Sequence, residues 1–195
     1  MDMKQRYLSA AVVALIVGGA SESQIFDQFI KEKEGNFTTA YQDAGGIWTV
    51  CQGVTRIDGR PVKPREKLTD AQCERLNAIE RDKAISWVQK HVPLSLTPPQ
   101  IAGIASFCPY NIGAGKCFSS TFYRKLHAGD IEGACKEIPR WVFDGGKDCR
   151  KTQGQPGGCY GQVIRRHQEA ELLCWELMQV NTTWTKPWTQ SQKTH

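Results

Sequence analysis

The chain opens on an uncharged run, Tyr7 to Ser21, behind the basic residues Lys4 and Arg6. Fifteen uncharged residues make a helix of about 22 Å, against a hydrocarbon core of about 30 Å. The run uses Ala, Gly and Ser where a stable anchor uses Leu and Phe, and ends on Gly18-Gly19-Ala20. A positive flank, a short apolar centre and a small-residue end describe an export signal. Two fates follow: cleavage after Ala20, or an uncleaved, weakly held membrane helix that later leaves the bilayer. The bland reading is a buried N-terminal helix of the domain.

Helical spacing then takes over. Ile25, Phe26, Phe29 and Ile30 recur between Ser23 and Lys33, and Gly35 follows Glu34 as a stop. From Phe37 to Arg56 the helical period is lost. Tyr41, Ile47, Trp48, Thr49, Val50, Val54 and Thr55 surround Asp43-Ala44-Gly45-Gly46, a small hairpin or meander. Pro61 to Lys67 is a polar connector. Thr69 and Asp70 cap a helix running towards Lys90, and Thr97 with Pro98 and Pro99 opens another through Ile101, Ile104 and Phe107. Short helices follow at Thr121–Leu126 and Asp130–Ile138. Gly145 to Gly161 is a Gly-rich loop, and a strong helix spans Gln162 to Met178. The order predicts an α+β protein of two lobes, a small sheet lobe and a helical lobe joined by a long helix. Residues 1–21 are the export segment, 22–178 the folded domain, and 179–195 a flexible polar tail.

Composition narrows the class. The chain has 195 residues, 40% of them hydrophobic and 23% charged, enough for one domain and against wholesale disorder. Its net charge of +5 is too small and dispersed to announce nucleic acid. It suits approach to an anionic polymer such as a cell wall. Eight cysteines, Cys51, Cys73, Cys108, Cys117, Cys135, Cys149, Cys159 and Cys174, include no C-x-x-C pair. Zinc ribbons and thioredoxin-like sites want that spacing, so four disulfides in an oxidising compartment fit better. No metal or cofactor is implied.

The densest chemistry lies between Glu34 and Thr55. Glu34 stands at a helix end, Asp43 nine residues later in the hairpin, and Thr49 six after that. Glycosidic cleavage needs one carboxyl to protonate the leaving oxygen and a second, charged group to activate water or support the cation. Phe29, Phe37 and Trp48 are near enough in sequence to wall Glu34. On spacing alone, a solvated helix end and a turn Asp explain the pair as well.

The stretch Glu34-Gly35, Tyr41, Asp43, Gly46, Trp48-Thr49 and Gly53 resembles the catalytic signature of phage-type lysozymes, the muramidases of glycoside hydrolase family 24. Tyr110-Asn111-Ile112-Gly113-Ala114-Gly115 is similar to that family's Y-N-x-G-x-G element. Ser120-Thr121 with Lys125-Leu126 and Ala128-Gly129-Asp130, then Trp141, Gly161, Arg165-Arg166 and Glu169, resemble later motifs in the same order. With the weak N-terminal helix, the resemblance is closest to signal-anchor-release endolysins. It implies a lysozyme-like fold, hydrolysis of peptidoglycan between N-acetylmuramic acid and N-acetylglucosamine, and host cell lysis. It implies export to the host periplasm, with the inner membrane as a partner before release. It also implies a monomer whose partner is the glycan strand.

By the same resemblance Glu34 is the general acid, Asp43 the base or electrostatic partner, and Thr49 the holder of the attacking water. An inverting member needs about 6.5–9.5 Å between the carboxyls. Arg165 or Arg166 braces Glu34, while Asn111 and Thr121 line the sugar cleft. Two departures stand out. Cys51 replaces a Gly common among relatives, and Pro109 adds a residue that should kink or bulge its helix. Cys108–Cys117 and Cys149–Cys159 look like local staples. Cys51–Cys73 and Cys135–Cys174 then remain, although sequence does not fix connectivity.

Three rival readings exist. Cys51 as a nucleophile with His91, His127 or His167 as base conflicts with eight paired cysteines. A lytic transglycosylase needs only one acid. A non-catalytic wall-binding protein has no need of both Glu34 and Asp43.

Overall fold

The computed structural model describes residues 6–43 and 45–182. Helix α1, Ala10–Val17, is capped by Ser9, whose hydroxyl accepts from Val12 N. Helix α2, Glu22–Glu34, begins with a reciprocal capping box between Ser21 and Gln24 and ends at Gly35, whose φ of 68° favours glycine. Strands β1, Phe37–Gln42, and β2, Trp48–Cys51, form the expected antiparallel hairpin, with Tyr41 opposite Thr49 and Gln42 opposite Trp48. A second small hairpin pairs β3, Arg56–Ile57, with β4, Arg60–Pro61. Helix α3, Asp70–His91, carries a Thr69–Gln72 capping box and joins the lobes.

The helical lobe follows. Helix α4, Pro98–Ala105, runs into a π-helical turn, Ser106–Ile112, that contains Pro109. The extra residue expected at Pro109 is therefore absorbed as a wide turn. Helices α5, Ala114–Phe118, α6, Thr121–His127, and α7, Ile131–Glu137, come next. The stretch expected as a loop from Gly145 holds part of a hairpin, β5 at Phe143–Asp144 with β6 at Lys147–Asp148, and a 3₁₀ turn at Cys149–Thr152. The final helix is in fact two, α8 at Tyr160–Leu173 and α9 at Trp175–Thr182, separated at Cys174. Residues 179–182, expected in the tail, are thus helical. The remaining tail, 183–195, lies outside the described residues.

Two cores match the two lobes. The larger gathers Phe26, Phe29, Ile104, Phe107, Phe122 and Leu172, and the smaller packs Val50, Val54, Ile57 and Val62 with Leu76 of α3. Helix α4 meets α8 at Gly103. A Cβ there would lie 2.9 Å from the Leu172 Cβ and 3.0 Å from the Glu169 carbonyl oxygen, so only glycine permits this approach. All eight cysteines pair, as Cys51–Cys73, Cys108–Cys117, Cys135–Cys174 and Cys149–Cys159. Cys51 itself has a φ of 57°, which explains why glycine suits that position.

The N-terminal run, read as an export segment, is here a packed element. Val12 is fully buried in the main core. Glu171, also fully buried, accepts from the backbone N–H of Tyr7 at 2.6 Å and of Leu8 at 3.0 Å, and pairs with Arg6 at 3.2 Å. Tyr7 stacks on His167 and its carbonyl accepts from Gln168. The small residues that make a poor anchor allow a close fit against protein. Among the described residues, no helix is long and apolar enough to cross a membrane.

Candidate active site

Glu34 is the last residue of α2, placed by a helix whose opposite face (Ile25, Phe26, Phe29, Ile30) is buried. Its Oε1 accepts from Arg165 Nη1 at 2.5 Å, and the side chain keeps 24% exposure. Arg165 also donates from Nε to Glu169 Oε1 at 3.1 Å. Glu169 is fully buried and takes a second bond from Ser106 Oγ at 2.7 Å and an ion pair from Arg166 Nη1. Arg166 donates onward to Asn111 Oδ1 and to the Trp141 carbonyl. Two guanidinium groups and two carboxylates therefore alternate from the cleft into the core. Burial pulls Arg165 down, but Glu169 and Glu34 more than offset it, so its guanidinium stays above the ordinary value. Of the two candidate braces, Arg165 touches Glu34, and Arg166 lies behind it, with no exposed side-chain surface.

Asp43 is held differently. Its Oδ1 accepts from the N–H groups of Gly45 and Ile47, both at 2.9 Å, closing the turn between β1 and β2. Thr49 is buried on β2, and its hydroxyl donates to the Ile47 carbonyl at 3.1 Å. That bond fixes the hydroxyl and leaves its oxygen able to accept. Tyr41, opposite Thr49, has its phenol pushed up first by burial and then by the charges of Glu34 and Asp43. Both carboxylates thus act on one ring.

Tyr110 was quoted in a motif, but its role was not legible there. The π-helical turn aims its hydroxyl across the lobes to donate to the Gln52 carbonyl, while Gln52 N donates to Asn77 Oδ1 on α3 at 3.1 Å. The adjacent Gly53 has a φ of 85°, and a Cβ there would lie 3.5 Å from the Tyr110 hydroxyl and 4.0 Å from the Glu34 carboxyl carbon. Burial, reinforced by the Glu34 charge, pushes the Tyr110 phenol up. Glu169 likewise stands in a motif that does not show its role; the signal is its spacing, three and four residues after the two arginines on one helix.

Two cavities lie beside residues that touch Glu34, although neither Glu34 nor Asp43 lines either of them. One of about 530 Å³ runs from Gly53 and Tyr110 along α3 to Trp87. The other, about 510 Å³, is lined by Lys33, Asn111, Gln162 and Arg165. A larger cavity of about 830 Å³ lies between α2 and α3, walled by Leu15, Asp27, Asn77 and Arg81, and holds neither carboxylate. Asn111 thus lines the second of these cavities. Thr121 does not: it stands exposed in the first turn of α6, accepting from Arg124 and lining none of these cavities, and Ser120 is the cap.

Known proteins give this geometry a family. The Phage lysozyme family matches residues 31–169. A SAR-endolysin of Escherichia phage N15 is 62% identical over 172 residues, covering 88% of this chain and 97% of its own. A probable prophage lysozyme of Escherichia coli (strain K12) is 59% identical over 180 residues, 92% of this chain and all of its own. Among solved structures, an endolysin from Escherichia coli O157:H7 phage FAHEc1 superposes with a TM-score of 0.65 at 29% identity, covering 80% of this chain and 92% of its own. The matched span contains Glu34, Asp43, Thr49, Arg165 and Glu169, and on these grounds the chain belongs to the phage lysozyme family, the lysozymes that hydrolyse peptidoglycan in lysis.

Proposed function

We propose that this chain cuts the β-1,4 bond between N-acetylmuramic acid and N-acetylglucosamine, with Glu34 as general acid and Asp43 with Thr49 as the water-holding pair. The observation that carries this reading is Glu34 itself: a partly exposed carboxyl fixed at 2.5 Å by a guanidinium that is shared with a buried carboxylate. When Glu34 gives its proton to the leaving oxygen, the negative charge forms where Arg165 already points. That is preorganised stabilisation of developing charge. Across the cleft, Asp43 spends Oδ1 on its own turn, while Oδ2 is engaged by none of the described residues and faces the role of orienting water with the Thr49 oxygen.

A lytic transglycosylase needs only the acid; the Asp43–Thr49 pair favours hydrolysis. Mass spectrometry of digested peptidoglycan tests this. A reducing muramic acid end is expected. An anhydro end means transglycosylase, and a cut peptide overturns the glycosidase reading.

The name SAR-endolysin carried by relatives supports export to the periplasm through a signal-anchor at residues 1–21. In this reading the segment is tethered to the inner membrane first and docked as α1 afterwards. Intact mass of the periplasmic protein tests it: a chain starting at Ser21 means cleavage and excludes docking.

A further inference from the structure

We propose that Trp87, backed by a cluster of rings, is a glycan-stacking platform at the far end of the cleft, a sugar site beyond the bond that is cut. The proposal rests on the glycosidase reading above. The 530 Å³ cavity begins at Gly53 and Tyr110, beside Glu34, and ends at Trp87. Glu80, Lys83, Ala84 and Trp87 stand at i, i+3, i+4 and i+7 of α3, one face about 10 Å long, and all line that cavity. Ala84 leaves depth in the middle, and the charged pair Lys83–Glu80, 2.7 Å apart, supplies polar partners along it.

Behind Trp87 the rings come from three elements. His91 of α3 lies 5.1 Å from it, Phe118 of α5 5.2 Å and Tyr123 of α6 6.1 Å. Phe118 remains 43% exposed. The cluster is rigid: Tyr123 Oη donates to the His91 carbonyl at 3.0 Å, His127 Nε2 meets the same oxygen at 2.8 Å, and Cys108–Cys117 ties α5 to the π-helical turn. A fixed, partly buried indole with polar neighbours matches a pyranose ring, whose C–H face is apolar and whose rim is hydroxyls and acetamido groups. The occupant is the glycan strand, because the cavity opens at Gly53, where a Cβ would lie 4.0 Å from the carboxyl carbon of Glu34.

Binding without cutting tests this. In a Glu34→Gln background, retention on purified sacculi and on soluble uncrosslinked glycan strands is measured. Trp87→Ala is expected to weaken both about tenfold, with Trp87→Phe restoring most of the loss. In the active protein the same change should raise KM more than it lowers kcat, with a greater loss on long strands than on short ones. Binding equal to the parent in a Trp87→Ala protein of native circular dichroism overturns the platform. So does competition by free stem peptide in place of glycan. If Trp87→Ala fails to fold, Phe118→Ser decides: roughly threefold weaker binding is expected, and unchanged binding overturns the proposal. Failure of the glycosidase reading looks different, because the unmodified enzyme would then release no reducing muramic ends.

Discussion

The two walls of the cleft are built on opposite plans. On the helical side Glu34 is held by Arg165, 131 positions away, and the array continues through buried Glu169 and Arg166. On the sheet side Asp43 and Thr49 are held by main-chain groups two to four residues away. The first wall exists only when the whole domain has folded. The second is a property of one hairpin. The shared charge array therefore sits on the wall that the global fold guarantees, and the groups proposed to hold water on the wall that local turn chemistry guarantees.

Substitutions can break this contrast, and the largest effect falls on the long-range wall. Glu34→Gln keeps the shape and a hydrogen-bond acceptor for Arg165 but delivers no proton, so wall hydrolysis should fall by at least about 10²-fold with circular dichroism unchanged. A turbidity assay on sacculi reads it, and substantial activity in the folded variant sinks the acid assignment. Next comes Glu169→Ala, which strands two guanidinium groups, one of them fully buried. A loss of about 3–5 kcal/mol is expected in denaturant unfolding, with activity falling as Arg165 loses its second partner.

Removing the sheet-side anchor should cost stability far less. Asp43→Ala deletes two bonds to exposed turn amides, about 1 kcal/mol, yet should still abolish most turnover. A variant with stability lost as in Glu169→Ala would show that the sheet wall is not local after all. Tyr110→Phe cuts the tie between the walls. It should cost about 1–2 kcal/mol and lower kcat, since Gly53 is then free to drift from Glu34.

The smallest effect is surface electrostatics in the sheet lobe. Arg60 holds the Glu66 carboxyl well below its ordinary value, at about 2. A carboxylate depressed on folding stabilises above the unfolded value near 4.5, and that contribution is lost as pH falls from there towards 2. Glu66→Gln should therefore flatten the acid limb of the stability curve and leave neutral pH almost unchanged, as acid titration of the melting temperature would record.

The same contrast explains what the sequence revealed. The helix ending at Glu34, the Asp43 turn and the strand bearing Thr49 were legible because caps, turn residues and periodicity are local. Which adjacent arginine braces Glu34 was not, since neighbours on a helix point about 100° apart and only the tertiary partner selects one. The Tyr110–Gln52 contact depends on how an inserted residue is absorbed, and a π-helical turn and a kink read alike. Docking of residues 6–17 is not legible in the sequence because small apolar residues suit both a membrane exit and a protein surface. Glu171, which decides in favour of the surface here, lies at the other end of the chain.

That docking has a consequence for timing. Glu171 is synthesised 163–165 positions after the Arg6, Tyr7 and Leu8 groups that it binds. Helix α1 can pack on α2 early, with Ser9 donating to Glu32, but the main-chain amides of Tyr7 and Leu8 lack their acceptor until Glu171 is made. Closing so long a loop is the slowest kind of contact to form, because its entropy must be met before any of its bonds exist. The bonds that fix residues 6–8 of this enzyme are thus among its slowest to close.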